Sequence, residues 1–304
     1  VMNLDDLLCV GATGPFLYTS IINRNKHLIP GEVIAAIIEG AQSFIDQMSK
    51  FGIEIKYMGG ETADLGDTVR TTTVDGSMTA RMKREDLIIT SEIKPGDVIV
   101  GLSSSGKATY ENEYNSGIGS NGLTSARHDV LNKSYLNKYP ESFDPLTDHS
   151  VLYIGSKRLQ DKLEETPLDY GKALLSPTKT YSPVMKVMLE EMKEDIHSLV
   201  HCTGGGQTKV LHFIDELKII KDNLLPTPPL FQAIQRESGT SWQEMYKVFN
   251  MGQRMEVYLP ESKAQQLIAI ASRFDIEAQV IGRVESSKVK EVQIISSHGT
   301  FKYQ

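Results

Sequence analysis

From Ile53 to Met58 apolar and polar positions alternate, with Ile53, Ile55 and Tyr57 on one side, the pattern of a half-buried strand. Just before it, Val33, Ile34, Ile37, Ile38, Ala41, Phe44, Ile45 and Met48 recur at spacings of three and four. That spacing predicts a helix with one broad apolar stripe, opened by Pro30-Gly31 and stopped by Gly52. The strand then runs into Gly59-Gly60-Glu61-Thr62, read as a sharp turn at which backbone can approach a ligand closely. Upstream, an apolar segment from Asp5 to Val10 and a strand from Phe16 to Ile22 flank the Gly14-Pro15 breaker. Residues 68–82 are rich in β-branched side chains without a helical period and predict a strand or hairpin.

Lys94-Pro95-Gly96-Asp97 is the best candidate boundary, dividing the chain into residues 1–94 and 95–304. Beyond it, Asp97 to Leu102 predicts a strand with Ser103-Ser104-Ser105-Gly106 as its exit loop. A long polar stretch follows to Gly119, of the kind that is either a functional lid or disordered. Ser120-Asn121-Gly122 leads into a helix through Leu123, Arg127 and Val130. Ser182-Pro183 opens another, whose Val184, Met185, Met188, Leu189 and Met192 stripe reads as core. A strand from Ile196 to Cys202 ends in Thr203-Gly204-Gly205-Gly206, with a helix or turn expected beyond. Residues 222–229 read as a proline-rich connector, 242–249 as a helix capped by Ser241, and 255–259 as an alternating strand. A last helix after Pro260 and strands near 278–284 and 290–296 complete the pattern. Strands and helices alternate in both halves, which predicts an α/β or α+β protein.

Composition narrows the function. The 304 residues, 40% hydrophobic and 23% charged, suffice for a large core and, by length, for two domains. A net charge of −7 and a pI near 5.6 argue against nucleic acid as the main partner. No apolar run approaches the roughly 18 residues of a membrane span. Two cysteines, Cys9 and Cys202, in no Cys-x-x-Cys pair, suggest a reducing cytoplasm.

Two stretches carry candidate chemistry. Glu61, Asp64 and Asp67, with the Thr62 hydroxyl, form an oxygen-rich set suited to Mg²⁺ held jointly with substrate phosphates. Thr203 to Gly206, after a strand, would expose consecutive backbone N–H groups to a phosphate. His201, immediately before that loop, is either a satisfied core histidine or a proton donor or substrate ligand. Neither a His/Cys metal spacing, a G-x-S-x-G elbow nor a P-loop occurs, which disfavours those chemistries.

Taken together, the motifs resemble one family. Asp6-Leu7-Leu8 with Gly11-Ala12, Gly59-Gly60-Glu61-Thr62-Ala63 and Gly96 to Leu102 with Ser104-Ser105-Gly106 come first. Ser120-Asn121-Gly122, Pro177-Thr178-x-x-Tyr181, His201-x-Thr203 to Gly206, and Met245-Tyr246-x-x-Phe249-Asn250-x-Gly252 follow. Their order is similar to that in aminoimidazole ribonucleotide synthetases (phosphoribosylformylglycinamidine cyclo-ligases), to about Val284. The resemblance implies a β-rich N-terminal domain that pairs with its twin in a homodimer, and an α/β C-terminal domain. It implies ATP-dependent closure of an imidazole ring on a phosphorylated ribotide. On it, Asp6 and Glu61 would hold Mg²⁺, with Gly59, Gly60 and Thr62 on ATP. His201 and Asn121 would serve the reaction. Ser104, Ser105, Lys179, Thr203, Gly204, Gly205, Gly206 and Asn250 would face substrate and phosphate.

Three departures stand out. The Asp-Gly-x-Gly-Thr-Lys segment that the resemblance leads one to expect upstream does not occur, so the sequence is expected to be part of a longer chain. Gly119 stands where the resemblance implies a histidine, after the insertion at 107–118. Lys179 stands for an arginine and Arg254 for a glycine, so charge is kept at the first but bidentate phosphate recognition is not. Two alternatives follow: another ATP-dependent activating enzyme of the same superfamily, or a catalytically silent regulatory paralogue.

Overall fold

The structure, a computed structural model, describes residues 1–304. It opens with α1 (Met2–Cys9), β1 (Phe16–Arg24), α2 (Gly31–Ser49), β2 (Ile55–Asp64) and β3 (Thr72–Ala80). These strands make a three-stranded sheet in the order β2-β1-β3, in which α2 is the crossover between parallel β1 and β2 and β3 pairs antiparallel. The expected turn at Gly59-Gly60-Glu61-Thr62 is not one: β2 continues through it to Asp64. Gly59, at φ +89°, takes up a slip in register opposite Tyr18 and Ser20. A Cβ on Gly60 would lie 1.7 Å from the Ser20 carbonyl oxygen, so the second glycine is required by strand pairing.

The α2 helix forms where its period predicts, but only Ile45 and Met48 of its stripe are buried. Leu17 and Ile21, on one face of β1, are 42% and 49% exposed. In a single chain this sheet therefore keeps an open apolar face.

The remainder comprises β4 (Asp97–Ser103), α3 (Leu123–Val130), α4 (Ser134–Lys138), α5 (Tyr170–Leu174), α6 (Ser182–Met192) and β5 (Ser198–His201). After these come β6 (Leu217–Lys221), α7 (Pro229–Ser238), α8 (Trp242–Val248), β7 (Gln253–Pro260), α9 (Glu261–Ser272), β8 (Ala278–Ser286), β9 (Glu291–Ser296) and β10 (Gly299–Tyr303). A seven-stranded sheet runs β10-β9-β6-β8-β4-β7-β5, and only the β6–β9 pair is parallel. β4 is buried along its whole length because both faces are covered. Ile99 joins the core formed with α3, α7 and α8. Val98, Val100 and Leu102 join a second core with α6 and α9, which also takes in Leu4, Leu8, Phe16, Met48 and Ile53. The methionine stripe of α6 is core, as expected. No helix is long and apolar enough to cross a membrane.

Three details depart from expectation. β7 looks alternating in sequence but is buried on both faces, so Glu256 lies inside, ion-paired to an equally buried Lys221 and accepting from the Tyr258 hydroxyl at 2.9 Å. The 107–118 stretch is an ordered strap: Ala108, Tyr110, Asn115, Ser116 and Ile118 are buried, and Gly106 and Asn115 exchange backbone hydrogen bonds. Finally, β6, α7 and β10 carry no strong local signal. α7 begins at Pro229, where a first-turn proline starts a helix that the proline-rich connector hid.

Candidate functional site

α1 ends beside the edge strand β5, which brings Asp6 to His201: Nδ1 lies 2.9 Å from Asp6 Oδ1. A carboxylate only accepts, so Nδ1 carries a proton, and in the neutral ring Nε2 then presents the lone pair. Nε2 is buried and has no hydrogen-bond partner in the protein. A fully satisfied core histidine would not leave it so. The Asp6 side chain itself is 63% exposed. With Lys209 the pair lines a cavity of about 270 Å³. Its neighbour Asp5 is fully buried and structural, accepting from the Thr180 hydroxyl at 2.7 Å and the Tyr181 N–H at 3.0 Å. These bonds tie α1 to the residues that open α6.

The triple glycine divides its labour. Gly205 and Gly206 have φ +94° and +49°, and a Cβ on Gly206 would stand 2.5 Å from the Phe249 carbonyl oxygen. Their freedom serves the turn and the close approach of α8, and the segment beyond is a 3₁₀ helix, Gly206–His212. Gly204 alone is exposed toward the opposite loop, with Asn121 Nδ2 3.4 Å from where its Cβ would be. Two loops distant in sequence, 119–122 and 202–206, therefore form one wall. Thr203 is nearly buried behind it, with Lys209 Nζ 3.4 Å from its hydroxyl.

Arg254 of β7 lies beneath that wall, 2% exposed, with no hydrogen-bond partner for Nε, Nη1 or Nη2. The Tyr181 ring faces its guanidinium at 5.4 Å. A cation over a ring is worth about 0.5–2 kcal/mol, whereas burying a lone ion costs several kcal/mol. Tyr181 offsets only part. Burial also pushes the Tyr181 hydroxyl pKa upward, so it stays neutral there.

The other expected contacts are already engaged. Ser104 donates to Asn250 Oδ1 at 2.8 Å, and Asn250 Nδ2 donates to the Gly117 carbonyl at 2.9 Å. Both are buried and pin the strap to β4 and β7; Ser105, beside them, is half-buried. Lys179 is buried against Glu111 of the strap. Desolvation lowers its pKa and Glu111 acts in the opposite direction. A cavity of about 390 Å³, the size of a small-ligand site, opens between the strap and residues 176–180.

The structure does not bring the two acids of the presumed Mg²⁺ site together in one chain. Glu61 pairs in register with Ile21 on the open face of the three-stranded sheet, and the cavity lined by Asp6 does not include it. Thr62 lines a shallow pocket with Ile22 and Arg24. No cluster of three or more His, Cys, Asp or Glu side chains is placed to hold a metal. The donor chemistry of Asp6 nevertheless suits Mg²⁺: one exposed carboxylate, hydrogen-bonded only to His201, is the ligand such an ion takes alongside phosphates.

Sequence reasoning noted Arg254 only as a departure from the expected motif and gave no site role to it, to Glu111 or to Asp5. The signal for Arg254 was present: an arginine in a run of strand residues, Met255 to Leu259 following it, must either reach solvent or meet a counter-charge.

Residues 1–82 match the family described as AIR synthase related protein, N-terminal domain, and residues 94–295 its C-terminal domain. The phosphoribosylformylglycinamidine cyclo-ligase of Methanocaldococcus jannaschii is 31% identical over 290 residues, 94% of this chain and 70% of that protein. That of Methanococcus maripaludis strain C6 is 32% identical over 291 residues, with the same shares. Among solved structures, the hydrogenase maturation protein HypE superposes with a TM-score of 0.59 at 14% identity, covering 99% of this chain and 79% of that one. T. maritima PurL complexed with ADP gives 0.51 at 16% identity, over 98% of this chain and 37% of that one.

Proposed function

Because the chain belongs to the AIR synthase related protein family, we propose that it closes the imidazole ring of aminoimidazole ribonucleotide from formylglycinamidine ribonucleotide at the expense of ATP. In this reaction the formyl oxygen attacks the terminal phosphorus of ATP and ADP leaves. A substrate nitrogen then attacks the activated carbon, loses a proton, and the carbon–oxygen bond breaks to release phosphate. Such chemistry needs alignment and charge neutralisation more than covalent help from the protein.

The observation that carries the reading is the Asp6–His201 pair beside the glycine wall. Asp6 fixes the imidazole tautomer, and the unpartnered Nε2 is the atom available to take the proton from the attacking nitrogen. Asn121, Thr203 and Gly204 form the surface against which the ribotide lies. Ser104, Ser105, Asn250 and Lys179 act through the strap they anchor. Mg²⁺, when bound with ATP, would neutralise phosphate charge at Asp6.

Residues 1–94 are the nucleotide-binding and dimer-forming part, and residues 95–304 bind the ribotide. The open apolar face around Leu17 and Ile21 supports pairing with a second copy, which would bring Gly59, Gly60, Glu61 and Thr62 to a nucleotide site between subunits. Two cysteines with no disulfide support a cytoplasmic setting. The test is to incubate the full-length protein with ATP, Mg²⁺ and formylglycinamidine ribonucleotide and to follow aminoimidazole ribonucleotide. Absence of product from a protein that still binds nucleotide removes the reading.

A further inference from the structure

A buried guanidinium with three unpartnered nitrogens is the least satisfied polar group in the molecule, and its surroundings say what would satisfy it. Arg254 is aimed at a small cavity lined by Gly119, Ser120, Asn121, Thr203 and Asn250. None of these carries a negative charge. A Cβ on Gly119 would stand 3.5 Å from Nη1 and 3.9 Å from Cδ, so the absent side chain at 119 is what leaves room in front of the guanidinium. The φ of Gly119 does not require a glycine, unlike that of Gly117 or Gly122, so its smallness serves that space and not the turn. Two of the positions at which the sequence departs from the expected motifs, 119 and 254, are thus one feature of the fold. Each makes sense of the other.

We propose that Arg254 is a ligand for a phosphoryl oxygen, reached through the gap that Gly119 leaves between the 119–122 and 202–206 loops. The cavity volume is about 10 Å³, room for a single oxygen atom or water and not for a whole phosphate. The ligand therefore sends one terminal oxygen inward while the rest of the group stays outside, against Asn121 and Thr203. A planar, permanently charged fork donates two N–H groups to such an oxygen at once, and the surrounding low-dielectric wall strengthens the contact. The phosphoryl group is that of a sugar phosphate or of a nucleotide. The ring-closure reading is needed only to say which of the two is substrate.

Affinities for ribose 5-phosphate and, in a separate arm, for ADP would be measured by calorimetry on the wild-type protein and on Arg254→Met, Arg254→Lys and Gly119→Val. The expected result is at least a tenfold loss in one arm for Arg254→Met, partly recovered in Arg254→Lys, and matched in the same arm by Gly119→Val, which fills the gap and keeps the arginine. The ligand-free Arg254→Met protein should melt at or above the wild-type temperature, because it no longer buries an unpaired charge. The inference is overturned if the wild type binds neither probe, if both affinities survive Arg254→Met and Gly119→Val, or if Arg254→Met only lowers the melting temperature. Product assays separate this from the reaction itself. Equal ring closure by wild type and Arg254→Met would leave the enzyme reading standing and the arginine idle, whereas Arg254-dependent binding without product would do the reverse.

Discussion

Asp6 and His201 stand 195 positions apart in the chain and 2.9 Å apart in space, and what each can do depends on the other. Without Asp6 the imidazole has no fixed tautomer; without His201 the carboxylate is one more exposed acid. His201→Gln should lower kcat by about 10²-fold, the scale of a lost proton-transfer group, and leave the melting temperature unchanged. A falling melting temperature with retained kcat would return His201 to the core. Glu256 offers the contrasting case of a charge held purely for structure. Glu256→Ala would strand the Lys221 ammonium in the interior, where losing one member of a buried pair costs about 3–5 kcal/mol. Chemical denaturation checks this, and a loss under 1 kcal/mol would mean that Gln207 suffices as a partner for Lys221.

At the level of elements, the glycine loop and α3 frame the site from opposite sides. Gly206→Ala should destabilise by about 1–3 kcal/mol, the price of a left-handed non-glycine residue, with the approach to Phe249 adding to it. Gly204→Ala, at an exposed position with ordinary backbone geometry, should fold normally and act only on substrate affinity. Comparing their unfolding curves tests the division of roles. α3, whose first turn follows Asn121-Gly122, holds His128 against the Tyr153 ring at a centroid distance of 4.5 Å. Burial first, and the Arg127 charge second, lower the His128 pKa to about 4. The unfolded chain protonates near 6.5, so this histidine's contribution is complete above about pH 6.5 and is lost as pH falls toward 4. His128→Phe should therefore shrink the drop in melting temperature between pH 7 and pH 4.5; an unchanged drop would assign the acid sensitivity elsewhere.

For the whole molecule, the placement of Glu61 on the open sheet face has a direct consequence. If Asp6 and Glu61 meet across a subunit contact, each inactive alone, then mixing Asp6→Ala and Glu61→Ala chains restores one intact site per mixed dimer. Random assortment makes half the dimers mixed, so activity should return to about a quarter of wild type. No recovery on mixing, with dimers verified by ultracentrifugation, would place both acids in one subunit or neither in the site. Much of this architecture was legible early. The 33–48 stripe, the strands at 16–22, 53–58 and 97–102 and the core methionines of α6 follow from periodicities that a backbone of fixed geometry imposes over a few residues. β6 and α7 were not, because five residues between charged neighbours and a helix behind two prolines carry too little period to stand out. The glycines of β2 were misread for a related reason: glycine signals close approach or unusual φ, and its identity does not say whether the approaching partner is a ligand or the next strand.

The amino-acid sequence alone determined the class of fold, the positions of most elements and, through the order of its motifs, the family. All of these are written in short-range patterns that survive without knowing what packs against what. Only the tertiary structure decided that Asp6 orients His201, that Ser104 and Asn250 hold a strap, that Glu61 faces away, and that Arg254 lies beneath the space Gly119 leaves open. Those are contacts between segments far apart in the chain. They are set by strand order and by which face each layer covers, and no local period encodes either.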